Sequence, residues 1–128
     1  MFGTLIAVGS YYINKSDLRR ANQLAEAMQA KPEEQRRSWS PAIACILGMV
    51  TFMHGEFASA RTHFEEASAG FDAEGQNSME ELWFIPWDVV ALAHEHLAIY
   101  HILHGDQAAA DSAMTKAINR GDELAFPW

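Results

Sequence analysis

A short turn signal occurs twice in this chain, and it constrains the fold more than any other feature. His54-Gly55-Glu56 and His104-Gly105-Asp106 each follow an apolar stretch and precede a second stretch with helical spacing. Glycine ends a helix by adopting a left-handed conformation, and an acidic residue suits the first turn of the helix that follows. Each signal therefore predicts a hairpin of two helices joined by a tight turn.

The first of these turns lies in the clearest predicted hairpin, residues 40–71. Ser40 followed by Pro41 indicates a helix start, because Ser caps free N–H groups and Pro loses no hydrogen bond at the first helical position. Apolar residues then recur at helical spacing: Ile43, Ile46, Leu47, Val50 and Met53. The inner face of the second helix is marked by Ala60, Phe64 and Ala67. Gly48 in mid-helix costs about 1 kcal/mol against alanine, so its presence predicts close helix packing.

The remaining sequence supplies two further hairpins. We predict one all-α domain over residues 1–128, with helix pairs at about 3–30, 41–70 and 88–124. Asp88 is placed to cap the first helix of the last pair. Residues 32–39 read as a polar connector.

A longer insertion, residues 71–87, separates the second pair from the third. It contains three aromatic residues, Trp83, Phe84 and Trp87. Ser78 followed by Glu81 forms a capping box, which predicts a short helix inside the insertion.

Composition and charge argue against several functional classes. A net charge of −8 opposes nucleic-acid binding, which requires a basic surface. The single cysteine, Cys45, excludes an internal disulfide and favours a reducing, cytoplasmic location. No apolar run approaches the roughly 20 residues of a membrane span. The apolar stretch 2–13 lacks the basic start and the cleavage site of a signal peptide.

Counted from the turn, the three predicted hairpins share one pattern of residue size. The turn residues are Ser16, Gly55 and Gly105. Five residues later stand Ala21, Ala60 and Ala110; nine later, Ala25, Phe64 and Met114; twelve later, Met28, Ala67 and Ala117. Seven residues before the turn stand Gly9, Gly48 and Ala98. Such a shared register indicates an internal repeat, which must be recognised before any other feature is interpreted.

This register resembles the tetratricopeptide repeat (TPR), which has a small residue in its first helix, Gly at the turn and an Ala-large-Ala pattern on its second helix. The likeness covers nearly the whole chain. It departs from the family at Thr51 and His101, where an aromatic residue is usual, and at Ser16, which replaces the first turn glycine. The resemblance implies three antiparallel helix hairpins stacked as a short right-handed TPR-like solenoid.

A narrower resemblance covers residues 47–72 and 88–128. These stretches, with the ending Leu124-Ala125-Phe126-Pro127, are similar to the helical repeat region of bacterial signalling ATPases, including adenylyl-cyclase-linked and LuxR-type transcription regulators. The resemblance implies a regulatory repeat domain of a multidomain protein. The nucleotide-binding loop G-x-x-x-x-G-K-[ST] of that family is absent from this sequence, and no DNA-binding helix-turn-helix is recognisable.

Four histidines lie on one predicted helix. His94, His101 and His104 share a broad face, which is the arrangement that a metal site needs. His96 is two residues from His94 and faces away, so the spacing is not that of H-E-x-x-H. His104 has a structural explanation, because it precedes the turn glycine as His54 does. We therefore predict no metal site and keep these three histidines as weak candidates.

No other residues form a catalytic pattern. Cys45 stands among Ile43, Ile46 and Leu47, which favours a buried apolar role over a nucleophilic one. Adjacent carboxylates such as Glu65-Glu66 point to different helix faces and do not form an acid–base pair. The sequence contains no phosphate-binding loop and no C-x-x-C motif. We predict neither enzymatic activity nor a bound cofactor.

In tetratricopeptide arrays the first helix of each repeat lines the concave face. Carrying those positions over predicts a groove, whose lining includes Ile6, Ile13, Cys45, Met49, Phe52, Met53, Glu95, Ile99, Ile102 and Leu103. An apolar, Met-rich groove suits an amphipathic helix. Alternatively, the aromatic residues of 71–87 fold over this face and fill it, or the face is covered by self-association.

Three functional hypotheses follow. The first is a non-catalytic protein-interaction or scaffolding module of a cytoplasmic regulator, with a protein or peptide partner or a homodimer. The second is a sensor pocket for a small apolar ligand, with the insertion 71–87 as its lid. The third, from a different class, is a metal enzyme that uses the histidine cluster.

Overall fold

The computed structural model describes residues 2–74 and 88–123, with backbone only for 71–74, and these ranges contain helices and turns but no strand. We number the α-helices in chain order. They are α1 (Phe2–Asn14), α2 (Leu18–Gln29), α3 (Glu33–Arg36), α4 (Ser40–Met53), α5 (Phe57–Glu74), α6 (Val89–Leu103) and α7 (Gln107–Glu123). A 3₁₀ turn, Arg37–Trp39, joins α3 to α4. The all-α prediction is confirmed for the described residues.

The long helices pack as consecutive neighbours. We call α1–α2, α4–α5 and α6–α7 the first, second and third pairs, because a short turn joins the two helices of each. Helix α2 also packs on α4, and α5 packs on α6, so the second pair contacts the other two. Helix α4 contacts α1, α2, α5 and α6.

The three turns have the same geometry. Ser16, Gly55 and Gly105 all have positive φ, at 58°, 79° and 76°. In each turn, the backbone N–H after this residue donates to a carbonyl five residues earlier, at 2.9 Å. This is the Schellman ending of a helix, in which a left-handed residue lets the chain satisfy the last carbonyl groups. Ser16 adopts that conformation although it is not glycine.

The packing explains Gly48. A Cβ atom at this position would lie 2.8–3.0 Å from the ring atoms of Phe64, closer than such atoms approach. The predicted reason for this glycine, close contact between the helices of the second pair, is therefore confirmed. In the third pair the same two positions hold Ala98 and Met114. Ala98 is larger than Gly48, and it stands opposite Met114, which is more flexible than Phe64.

Asp88 joins the ends of the third pair. As predicted, it caps α6: its Oδ1 accepts a hydrogen bond from the backbone N–H of Ala91 at 2.8 Å. The same carboxylate accepts from Arg120 near the end of α7, with Nε–Oδ1 3.3 Å and Nη2–Oδ2 3.4 Å. The Asp88 side chain is fully buried and that of Arg120 is 17% exposed.

The predicted polar connector 32–39 contains α3 and the 3₁₀ turn. Two local predictions were wrong. Ser40 is the first residue of α4 and not its cap, because its Oγ donates backwards to the carbonyl of Arg36 at 3.1 Å. Helix α5 continues to Glu74, so the insertion begins later than residue 71. The capping box at Ser78 and the three insertion aromatics lie outside the described residues.

The shared turn geometry makes a prediction about stability. Replacing Ser16 by Gly removes the steric cost of a left-handed non-glycine residue, so we expect the free energy of unfolding to rise by about 0.5–1 kcal/mol. Gly55→Ala should lower it by about 1 kcal/mol for the same reason. No atom lies within 4 Å of a Cβ built at Gly55, so packing does not contribute. Urea unfolding measures both effects, and equal stability of all three proteins would contradict the assignment.

The contact of Gly48 with Phe64 makes a second prediction. Gly48→Ala should lower the free energy of unfolding by about 1–3 kcal/mol, because the new methyl group forces the phenyl ring to move. The double variant Gly48→Ala/Phe64→Met copies the pair found at Ala98 and Met114. The double variant should lose less free energy of unfolding than the two single variants lose when their losses are added. An additive double-mutant cycle would argue against direct steric coupling.

Candidate partner-binding surface

The predicted groove residues divide into three groups. Ile6, Ile13 and Cys45 are 0%, 2% and 0% exposed and belong to the hydrophobic core. They offer no surface to a partner, so their assignment to an open groove was wrong. Met49, Phe52 and Ile99 are half-buried. Exposed members are Met53, Glu95, Ile102 and Leu103.

Met53 and Leu103 occupy the same position of their pairs, the last residue of the first helix. Met53 is 50% exposed and Leu103 is 57% exposed. Asn14 is the equivalent residue of the first pair and is also exposed. One turn earlier, Met49 and Ile99 are half-buried at a second shared position. The first helices of the second and third pairs therefore each present an apolar edge made from equivalent residues.

Phe52 is held by aromatic contacts between pairs. Its ring centroid lies 5.1 Å from that of Phe57, 6.4 Å from that of Phe64 and 5.3 Å from that of His96. His96 belongs to α6 and also lies 4.8 Å from Phe64. Its Nδ1 is 2.9 Å from the carbonyl oxygen of Leu92. This histidine therefore packs the third pair onto the second.

The structure does not bring the candidate metal ligands together. Within the described part of the chain, no group of three or more His, Cys, Asp or Glu residues is placed to hold a metal ion. His104 stacks on Tyr100 at 4.0 Å, and its Nδ1 is 2.8 Å from the carbonyl oxygen of Tyr100. His101 meets the edge of Tyr100 at 5.4 Å. His94 is half-buried on the same helix.

Cys45 is fully enclosed in the hydrophobic core. Burial, and secondly the charge of Asp88, raise the pKa of its thiol from an ordinary 9.0 to about 12. The thiolate is the nucleophilic form of cysteine. At neutral pH this side chain therefore remains a protonated, buried part of the core.

Glu95 lies in a cavity between the two helices of the third pair. This cavity, of about 290 Å³, is lined by Ala91, Glu95, Met114, Ala117, Ile118 and Asp122. The lining combines apolar side chains with two acids. Two further cavities, of about 560 and 230 Å³, are lined mainly by polar and charged residues.

The sequence interpretation missed Met114, Ile118 and Asp122 as surface residues. Met114 is 37% exposed and Ile118 is 58% exposed. The repeat register places Met114 level with Ala25 and Phe64, and both of those are buried. Burial at this position therefore depends on whether another pair packs over it, which no local pattern in the sequence records.

Comparisons with protein-family models, with curated proteins and with solved structures found no match to this chain. Among the described residues, no helix combines the length and the apolar character that crossing a membrane requires.

The enclosure of Cys45 predicts a pH effect on stability. Because the thiol pKa is higher in the folded chain than in the unfolded one, the folded state binds more protons between pH 9 and 12. The contribution is complete below pH 9 and is lost as pH rises towards 12. We therefore expect the stability of the wild type relative to Cys45→Ala to fall across that interval, measured by urea unfolding at each pH.

Thiol labelling provides an independent check of the same burial. At pH 8 in native buffer, 5,5′-dithiobis(2-nitrobenzoate) should react with Cys45 at least ~100-fold more slowly than in urea-unfolded protein, since reaction requires opening of the core. A rate close to that of the unfolded chain would contradict the enclosed position.

Proposed function

We propose that this protein is a non-catalytic helical repeat module that binds a protein or peptide partner. The observation that carries the proposal is the repeated apolar edge formed by Met49 and Met53 on α4 and by Ile99 and Leu103 on α6. Equivalent residues at equal spacing suit a partner that extends along consecutive pairs.

The chemistry of this edge favours an amphipathic helix as the partner. Thioether and branched aliphatic side chains adapt to an apolar helix face and need no hydrogen-bond partner there. Met53 and Leu103 are about half exposed, so a partner would remove a substantial part of their surface from water. Apolar area removed from water stabilises a complex by about 25 cal/mol per Å² before the costs of association.

We further propose that the three pairs form a right-handed, TPR-like solenoid and that the module belongs to a cytoplasmic bacterial signalling or transcription regulator. The support is the shared register, the common left-handed turns and the resemblance of residues 47–72 and 88–128. The absence of a nucleotide-binding loop from the sequence is consistent with a binding role.

The test uses a defined probe, a fluorescently labelled 18-residue amphipathic helix with Leu on one face and Gln and Lys on the other. Met53→Ser/Leu103→Ser should weaken its binding about tenfold, equivalent to about 1.4 kcal/mol, because the apolar contact is removed without a change of charge. Fluorescence anisotropy measures the dissociation constant.

The matched control is Met114→Ser/Ile118→Ser, which removes two exposed apolar side chains from α7, the second helix of the third pair. We expect this variant to bind the probe as the wild type does. Equal weakening by both double variants, or weakening only by the control, would show that the edge formed by Met53 and Leu103 is not the binding surface.

A further inference from the structure

The inner contacts between pairs show which residues face the following pair. His96 of α6 covers Phe52 and Phe64 of the second pair. Cys45, ten residues before its turn, is fully buried, and its helix α4 contacts α6. Between the first two pairs, Ile46 of α4 approaches Gly9 so closely that an added Cβ would lie 3.0 Å from its Cδ1. The second pair therefore covers the first, and the third covers the second.

Among the described residues, no further helix pair packs over the same positions of the third pair. Phe52 and Phe64 correspond in register to Ile102 and Met114, which are 56% and 37% exposed. Cys45 corresponds to Glu95, which is exposed and lines the cavity of about 290 Å³. We call this surface the acidic end face, defined by Glu95, Ile102, Met114, Ala117, Ile118 and Asp122. Its residues are equivalent in register to those through which the second pair contacts the third.

Helix α1 presents the complementary positions. On α4, Leu47 and Val50 are 6% and 1% exposed, and Val50 lines a cavity together with Leu18 and Asn22 of α2. Their equivalents on α1 are Val8 and Tyr11, which are 36% and 57% exposed. Lys15 lies one turn beyond Tyr11, with its Nζ 5.9 Å from the ring centroid. We call this surface the α1 face; it is apolar with a cation at its edge.

The acidic end face and the α1 face carry complementary charges if a second copy docks in the way that the third pair docks on the second. Between the second and third pairs, the Arg61 guanidinium carbon lies 5.4 Å from the ring centroid of Tyr100. The equivalent residues are Asp111, three residues before Met114 on α7, and Tyr11 of the α1 face. A copy docked in the same register brings the Tyr11 hydroxyl and the Lys15 ammonium to the Asp111 carboxylate.

We propose that a second copy of this chain docks its α1 face on the acidic end face, so that the pairs of consecutive copies continue one stack. The contact is head-to-tail, because the two surfaces are different, and it therefore extends beyond a dimer unless a ring closes. Pairing of two acidic end faces is opposed, since Glu95 and Asp122 would face acids of the other copy. This surface is separate from the edge at Met53 and Leu103 and does not depend on its function.

The test blocks one surface at a time and measures mass by sedimentation equilibrium at 10–500 µM, a range of about two decades around typical weak association. The wild type should grow in average mass with concentration from the 14.3 kDa monomer. Tyr11→Glu and Ile118→Glu should each remain monomeric. An equimolar mixture of the two should form a dimer and stop there, because each copy keeps the surface that the other lacks.

Several outcomes overturn the proposal. The proposal is contradicted if the wild type stays monomeric across the whole concentration range. It is also contradicted if either single variant has the same average mass as an associating wild type. A dimer formed by Tyr11→Glu alone indicates pairing of two end faces instead. If Ile118→Glu lowers the melting temperature by more than about 4 °C, residues of the same chain cover the face, because an exposed substitution changes stability little.

Charge exchange tests the register itself. Asp111→Lys should weaken association at least tenfold, since it places a lysine opposite Lys15. The double variant Lys15→Glu/Asp111→Lys should restore it, and a lack of rescue excludes this contact. Met53→Glu is the matched control: it adds a charge to an equally exposed side chain on the partner-binding edge and should leave the mass unchanged.

Discussion

Helix α4 is enclosed on nearly every side, and the packing of the described chain depends on that enclosure. Residues 41–48 and Val50 are buried, and α1, α2, α5 and α6 all contact this helix. A helix that is apolar around its whole circumference requires neighbours on all of its faces. Each buried Ile contributes about 1.5–3 kcal/mol relative to exposure in water. The first and third pairs supply the neighbours that the second pair alone lacks.

Local signals in the sequence predicted much of this arrangement. The turns at Gly55 and Gly105, the cap at Asp88 and the packing role of Gly48 each depend on a few adjacent residues or on the chemistry of one residue type. These features do not depend on distant parts of the chain. The short helix α3 was missed because four residues span barely one helical turn and contain no periodic pattern.

The groove was harder to predict because neighbouring positions on a helix differ by about 100° in direction. Assigning Ile6 and Cys45 to an open face placed them on the side that the next pair covers. Met53 and Leu103, at the end of their helices, were assigned to a surface and are exposed. The register identifies equivalent residues, but burial depends on whether another pair lies beyond them. Cys45 and Glu95 share one position, yet Cys45 is buried and Glu95 is exposed and lines a cavity.

Asp88 makes one local interaction and one distant interaction, and the distant one could not be predicted from the sequence. It caps α6 locally, yet its ion pair is with Arg120, 32 residues away on α7. A buried ion pair gives little net stability, because removing both charges from water costs about as much as their attraction returns. Its geometry is nevertheless specific, since sliding α7 along α6 would leave the buried Asp88 carboxylate without its cation. We infer that this pair fixes the position of α7 on α6, and with it the spacing of Met114 and Ile118 from Ile102. The buried interaction at one end of the third pair thus sets the shape of the surface that the pair exposes.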